Sequence, residues 1–167
     1  HPTFNNRSDE YGGSLENRSR LMRELISEMK EVAGDRAAIA VRMSTDELLT
    51  FKSESSESEA HEFFEINGEF PDLWDIKMSS WFKECPSGRF AESGHMEPYN
   101  SFVKKLTSKP VVGVGWFTSP DIMAKQINDG ILDFVGAARA SIADPFLPNK
   151  LKEGREDDIR ERIGCNI

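Results

Sequence analysis

The chain has 167 residues, 38% hydrophobic and 30% charged, enough for one domain with a real core. Its 21 Lys and Arg against 29 Asp and Glu leave a net charge of −8, with the excess acid around Glu54 to Glu65. That balance argues against nucleic acid as a partner, and no stretch approaches the roughly 18 apolar residues of a membrane span.

Two cysteines, Cys85 and Cys165, are too few for a disulfide scaffold. With no signal peptide visible, the expectation is a reducing, cytoplasmic setting. His1 and Ile167 both read as cut ends, so residues 1–167 are expected to form one partial domain.

After a polar lead, Tyr11, Gly12 and Gly13 make a turn, and Ser14 can cap a helix closed by Gly34. Its apolar positions Leu15, Leu21, Met22, Leu25, Ile26, Met29 and Val32 are expected on one face. Ala37–Met43 reads as a short buried strand ending near Arg42. The pattern then predicts a helix over Ser53–Asn67, its Ser/Glu start suited to a helix N-terminus, and a strand over Leu73–Met78. Ser79–Glu97 is a loop of nearly twenty residues, long enough to suspect function. A helix over Tyr99–Leu106, a strand over Val111–Val114, a helix over Pro120–Asp129 and a strand over Phe134–Ala137 follow. Short helices are expected at Pro145–Glu153 and Asp157–Ile163.

Strands alternating with helices predict an α/β fold with a parallel sheet and right-handed crossovers. Four strands are half of what a (β/α)8 barrel of about 250 residues contains. Such a fragment would carry bare strand edges and an exposed inner face, which predicts self-association.

The last two strands carry the most specific chemistry. VVGVGWFTSP ends an apolar run at Gly115 before Ser119 and Pro120 open a helix; in FVGAARASIADP, Arg139 stands where the strand gives out. Adjacent strands that each end in a phosphate-suited element are what the last two units of a barrel offer a phosphorylated ligand. His1, His61 and His95 have no metal-ligand spacing.

NNRSDEYGGSLENRSR, AIAVRM, LWDIKM, VVGVGWFTSP and GAARASIADPFLPNKLKEGR, in that order, resemble the old yellow enzyme family, and within it the trimethylamine and dimethylamine dehydrogenase branch. The resemblance implies a TIM barrel binding FMN, this chain being similar to its C-terminal half, about strands 5 to 8. It implies a parent that moves hydride between a substrate carbon and flavin N5, an amine dehydrogenase, with a 2,4-dienoyl-CoA or enone reductase as the alternative. A non-catalytic half-barrel that binds a phosphorylated ligand is the alternative from another class.

The resemblance also distributes roles. Arg42 would lie beside the flavin pyrimidine edge, or else pair with a neighbouring carboxylate. Gly115 and Trp116 would offer main-chain N–H groups to the phosphate, although Trp116 stands where relatives often carry a polar or basic residue; the alternative is a Gly needed only for the turn. Ala138 and Arg139 resemble the phosphate-binding pair of strand eight, with an ion pair from Arg139 to Asp144 or Glu153 as the alternative. Trp81 and Glu84 resemble the substrate-amine pocket, or belong to an ordinary surface loop. Cys165 resembles a vestigial 4Fe-4S ligand position; Arg162 replaces the first cysteine of that run, and no cluster is expected.

Overall fold

The computed structural model describes residues 1, 2, 4–45, 56–78, 92–117 and 119–161. Four strands, β1 (Ala40–Ser44), β2 (Leu73–Lys77), β3 (Val111–Gly113) and β4 (Phe134–Val135), form one sheet in the order β1-β2-β3-β4, every neighbouring pair parallel. α1 (Leu15–Arg18) and α2 (Arg20–Ala33) precede β1; α3 (Ser56–Asn67) lies between β1 and β2, α4 (Glu97–Asn100) and α5 (Val103–Leu106) between β2 and β3, and α6 (Pro120–Asn128) between β3 and β4. After β4 come α7 (Ala138–Ala143) and α8 (Leu147–Lys152). Sequential parallel pairing is the product of βαβ crossovers and is the open half of a barrel wall.

The expected boundaries shift for local reasons. The single helix after Ser14 is two helices meeting at buried Ser19, whose hydroxyl donates to the Glu16 carbonyl. Ser14 does cap, its Oγ accepting from Asn17 N–H at 3.2 Å. The preceding turn is structural, as expected: a Cβ on Gly12 would collide with the Arg7 carbonyl, and Gly13 has φ +77°. Tyr99–Leu106 is two one-turn helices, and the expected strand Phe134–Ala137 stops at Val135 because α7 begins at Ala138. In place of a helix from Asp157 there is a 3-10 turn, Glu156–Asp158.

Strand starts share a device. The Asp72 carboxylate, one residue before β2, accepts from Ile39 N–H at 2.8 Å and from Lys30 Nζ at 2.7 Å. The Asp133 carboxylate, one residue before β4, accepts from Val111 N–H at 2.8 Å and pairs with Lys104 Nζ at 2.8 Å. In both, the aspartate satisfies an N–H at the start of the preceding strand, Ile39 just before β1 and Val111 at the head of β3, while a lysine from the helix before that strand neutralises it. Those hydrogen bonds, from Ile39 first, hold the Asp72 carboxyl below its ordinary range. The repeat spans two β/α units and lies at the N-terminal ends of the strands, the face that serves stability in barrels.

The core lies between sheet and helices. Phe63, Phe64, Trp74, Ile76, Val103, Val111, Phe117 and Leu132 are buried together. Trp74 is 0% exposed, packs edge-on against Phe64 at 5.0 Å, and donates Nε1–H to the Gly68 carbonyl at 2.8 Å. Gly68 is required by packing: a Cβ there would sit 2.5 Å from the Phe64 carbonyl oxygen and 2.7 Å from that of Leu106.

The apolar stripe on the first helix is wider than the sheet covers. Ile26 is buried, whereas Leu21, Leu25, Met29 and Val32 are exposed, Val32 at 74%. At 100° per residue along α2, Met22 and Ile26 fall on one side, while Leu21, Leu25 and Val32 lie roughly 100° away. At the other end of the sheet Phe134, Ile142 and Phe146 are also exposed.

Candidate functional site

The site lies at the C-terminal ends of β3 and β4. Beyond β3 the chain reaches buried Gly115, then Trp116 at φ +56°, the one positive-φ residue other than glycine among the described residues. A large side chain in that region is strained and persists only where its surroundings hold it. Beyond β4, Gly136 N–H donates to the Gly113 carbonyl at 2.8 Å, and a Cβ on Gly136 would press on Val114 at 2.9 Å. The missing side chain therefore lets the two strand ends meet. Ala138 then opens α7, and Arg139 in its first turn lies over the Trp116 ring, Cζ 5.6 Å from the centroid.

The two loops are thus joined by a guanidinium on an indole. The carboxylates first considered for Arg139 have other cations: Asp144 is paired with Lys150 Nζ and Glu153 with Arg155 Nη2, each at 2.6 Å. Gly115 is not demanded by crowding. A Cβ there would meet nothing closer than 3.5 Å, and the unusual φ falls on Trp116 instead.

The strand that ends near Arg42 is less buried than its apolar run suggests, and the Arg42 side chain is 59% exposed on the open face of the sheet. It lies 3.7 Å from Asp75, its register partner on β2. At that exposure the pair contributes little.

Composition and spacing passed over His95. It sits in the turn before α4, where Gly94 N–H donates to the Gly115 carbonyl at 2.7 Å and Met96 packs near Gly115. Both ring nitrogens are buried without a hydrogen bond. Burial lowers the His95 pKa, the nearby Arg139 charge acting in the same direction, while the carbonyls of Glu92 and Gly115 oppose them. A glycine-histidine pair in a polar loop carries no periodic signal.

Trp81, Glu84, Cys85 and Cys165 lie outside the described residues. Among the described residues no three or more His, Cys, Asp and Glu are grouped to hold a metal ion, and no helix is long and apolar enough to cross a membrane.

Asp144 anchors the segment after Arg139. It is 2% exposed and accepts from Lys150 Nζ at 2.6 Å, Arg160 N–H at 3.0 Å and Phe146 N–H at 3.1 Å. The lysine bond first, then the Arg160 amide, lowers its pKa from 3.8 to about 2. A carboxyl whose folded pKa is depressed stabilises the fold above its unfolded pKa and ceases to do so as pH falls through the folded value. Urea midpoints are therefore expected to fall between about pH 4 and pH 2, and Asp144→Asn to remove that portion of the fall.

A parallel sheet in sequential order, with paired glycine turns and an arginine at the ends of its last strands, defines part of a TIM barrel with a candidate phosphate site. Residues 1–158 match the NADH:flavin oxidoreductase / NADH oxidase family, and the chain belongs to that family of FMN-dependent oxidoreductases. It is 40% identical over 169 residues to dimethylamine dehydrogenase of Hyphomicrobium sp. (strain x), covering 99% of this chain and 23% of that protein. Among solved structures it is similar to histamine dehydrogenase from Rhizobium sp. 4-9, with TM-score 0.89 and 54% identity over 96% of this chain and 23% of that one. It is also similar to 6-hydroxypseudooxynicotine amine oxidase from Pseudomonas geniculata N1, with TM-score 0.87 and 51% identity over 96% of this chain and 24% of that one. The chain thus spans about a quarter of the length of these relatives.

Proposed function

We propose that this chain forms the phosphate-holding part of an FMN site, within an enzyme that oxidises an amine by hydride transfer to the flavin. The observation that carries the reading is Arg139 over Trp116, a fixed cation beside the turn at the ends of adjacent strands. That arrangement suits a phosphate monoester: guanidinium can grip two oxygens, and the amides around Gly115 and Trp116 are neutral donors. Ala138 borders Arg139 and completes the turn.

When bound, the flavin supplies the hydride acceptor; the residues here bind and orient it. Arg42 on the open sheet face is proposed to set a positive charge near the ring, held there by Asp75. Trp81 and Glu84 are proposed to face the substrate, the indole attracting a substituted ammonium. The amine assignment is supported by 54% and 51% identity to the two amine-named structures, against 27% to 2-naphthoyl-CoA reductase. A 4Fe-4S cluster needs about four thiolates, and Cys85 and Cys165 are the chain's two cysteines.

The test is equilibrium dialysis of the purified chain against FMN. Retained yellow colour that inorganic phosphate displaces supports the reading. A protein that stays colourless at millimolar FMN overturns it.

Self-association belongs to the same proposal. The exposed line Leu21, Leu25, Val32 and the exposed Phe134, Ile142 and Phe146 flank opposite ends of an open sheet. Apolar surface left bare on both flanks favours pairing with another copy. Light scattering at micromolar concentration is expected to give at least a dimer mass, and Leu25→Glu with Val32→Glu to shift it toward monomer.

A further inference from the structure

The peptide between Gly115 and Trp116 is trans, as are all peptide bonds among the described residues, so its C=O and N–H point in opposite directions. Whatever holds the Gly115 carbonyl therefore aims the Trp116 N–H. Gly94 N–H already binds that carbonyl at 2.7 Å, from the turn that carries His95. A carbonyl oxygen has a second lone pair. Among the described residues, the Gly115 and Glu92 carbonyls and the Arg139 guanidinium act on the His95 ring, yet its two buried nitrogens make no hydrogen bond of ordinary geometry. Leaving a buried N–H unpaired forfeits its bond to water with nothing in return, and native proteins rarely tolerate it.

We propose that His95 is a positioning residue for the phosphate turn: its ring N–H closes onto the Gly115 carbonyl when a phosphate monoester binds, fixing the Trp116 N–H toward the anion. This rests on the FMN-phosphate reading above. The orphaned ring then gains a partner, and the strained Trp116 conformation, present with Gly94 alone on the Gly115 carbonyl, gains a second bond that holds it. Arg139 is the charged group facing the ring; an anion beside that guanidinium offsets its charge, which favours proton retention on His95.

The experiment compares FMN with riboflavin, which lacks the phosphate, on the full chain. His95→Phe should weaken FMN roughly 3- to 10-fold, the range of one neutral hydrogen bond, and leave riboflavin unchanged. His95→Gln or His95→Asn, which restore a donor, should recover part of the loss. A merely structural role would move both ligands together and would show no recovery. In the unaltered chain, ¹⁵N NMR of the His95 ring should register a new N–H hydrogen bond on adding inorganic phosphate. Unaltered FMN-to-riboflavin discrimination in His95→Phe, or a ring spectrum insensitive to phosphate, overturns the inference while the phosphate site stands. Equal affinity of the unaltered chain for FMN and riboflavin overturns the site itself and the inference with it.

Discussion

Replacing Arg139 by alanine is expected to weaken FMN binding by roughly 10- to 100-fold and to leave riboflavin binding unchanged. The estimate follows from the charge-assisted hydrogen bonds a guanidinium makes to phosphate, about 1.5–3 kcal/mol in net terms. Arg139 is a residue whose loss should cost affinity without costing the fold, because it lies on a six-residue helix at the open end of the sheet and packs on the Trp116 face. Arg139→Lys should recover only part of the loss, since an ammonium is a point charge and cannot reproduce the planar fork. Fluorescence quenching of the two flavins by each variant measures both effects together. Equal weakening of FMN and riboflavin would place Arg139 against the ring instead of the phosphate.

The second large effect concerns stability. Trp74→Ala is expected to cost about 3–5 kcal/mol, the usual range for deleting a large buried aromatic. Trp74 is fully enclosed by Phe63, Phe64 and the neighbouring strands, and its indole N–H satisfies the Gly68 carbonyl. Natural domains have only about 5–15 kcal/mol to lose, so a sheet of four short strands should be close to unfolded at room temperature. Trp74→Phe should be milder: the ring still fills most of the space, and Thr107 Oγ1 continues to donate to Gly68 at 2.7 Å. Urea unfolding followed by far-ultraviolet circular dichroism distinguishes the two, and a midpoint for Trp74→Ala within error of the parent chain would refute the placement of the core.

Much of this architecture was legible in the residues. Short apolar runs between helical patterns can be read because each parallel strand here is covered by helices, and the alternation itself implies sequential parallel pairing. The tight turn at Gly12 was legible because only a glycine fits beside the Arg7 carbonyl. The fine boundaries were hidden for a different reason, as where Ser19 interrupts a helix through its own hydroxyl.

The site was half legible. Arg139 and Gly115 stood out because a strand end followed by glycine or arginine has few purposes, whereas their physical partnership through Trp116 depends on two strands lying side by side. The burial of the strand near Arg42 was misjudged because a strand that is covered on both faces in a closed barrel has an open face here. The aspartate-lysine device at Asp72 and Asp133 escaped notice for want of any local signature, its partners being 33 and 22 residues away for the amides. His95 was invisible for the same reason: its significance comes from Gly115, brought to it by the turn at Gly94.

The central claim is that the turn joining Gly115, Trp116 and Arg139 holds the phosphate of FMN. Titration calorimetry of the purified chain with FMN and with riboflavin at matched ionic strength tests it most directly. FMN is expected to bind at least 10-fold tighter than riboflavin, the margin one charge-assisted phosphate contact supplies, with inorganic phosphate competing against FMN alone. Riboflavin binding as tightly as FMN, or FMN binding indifferent to added phosphate, would contradict it.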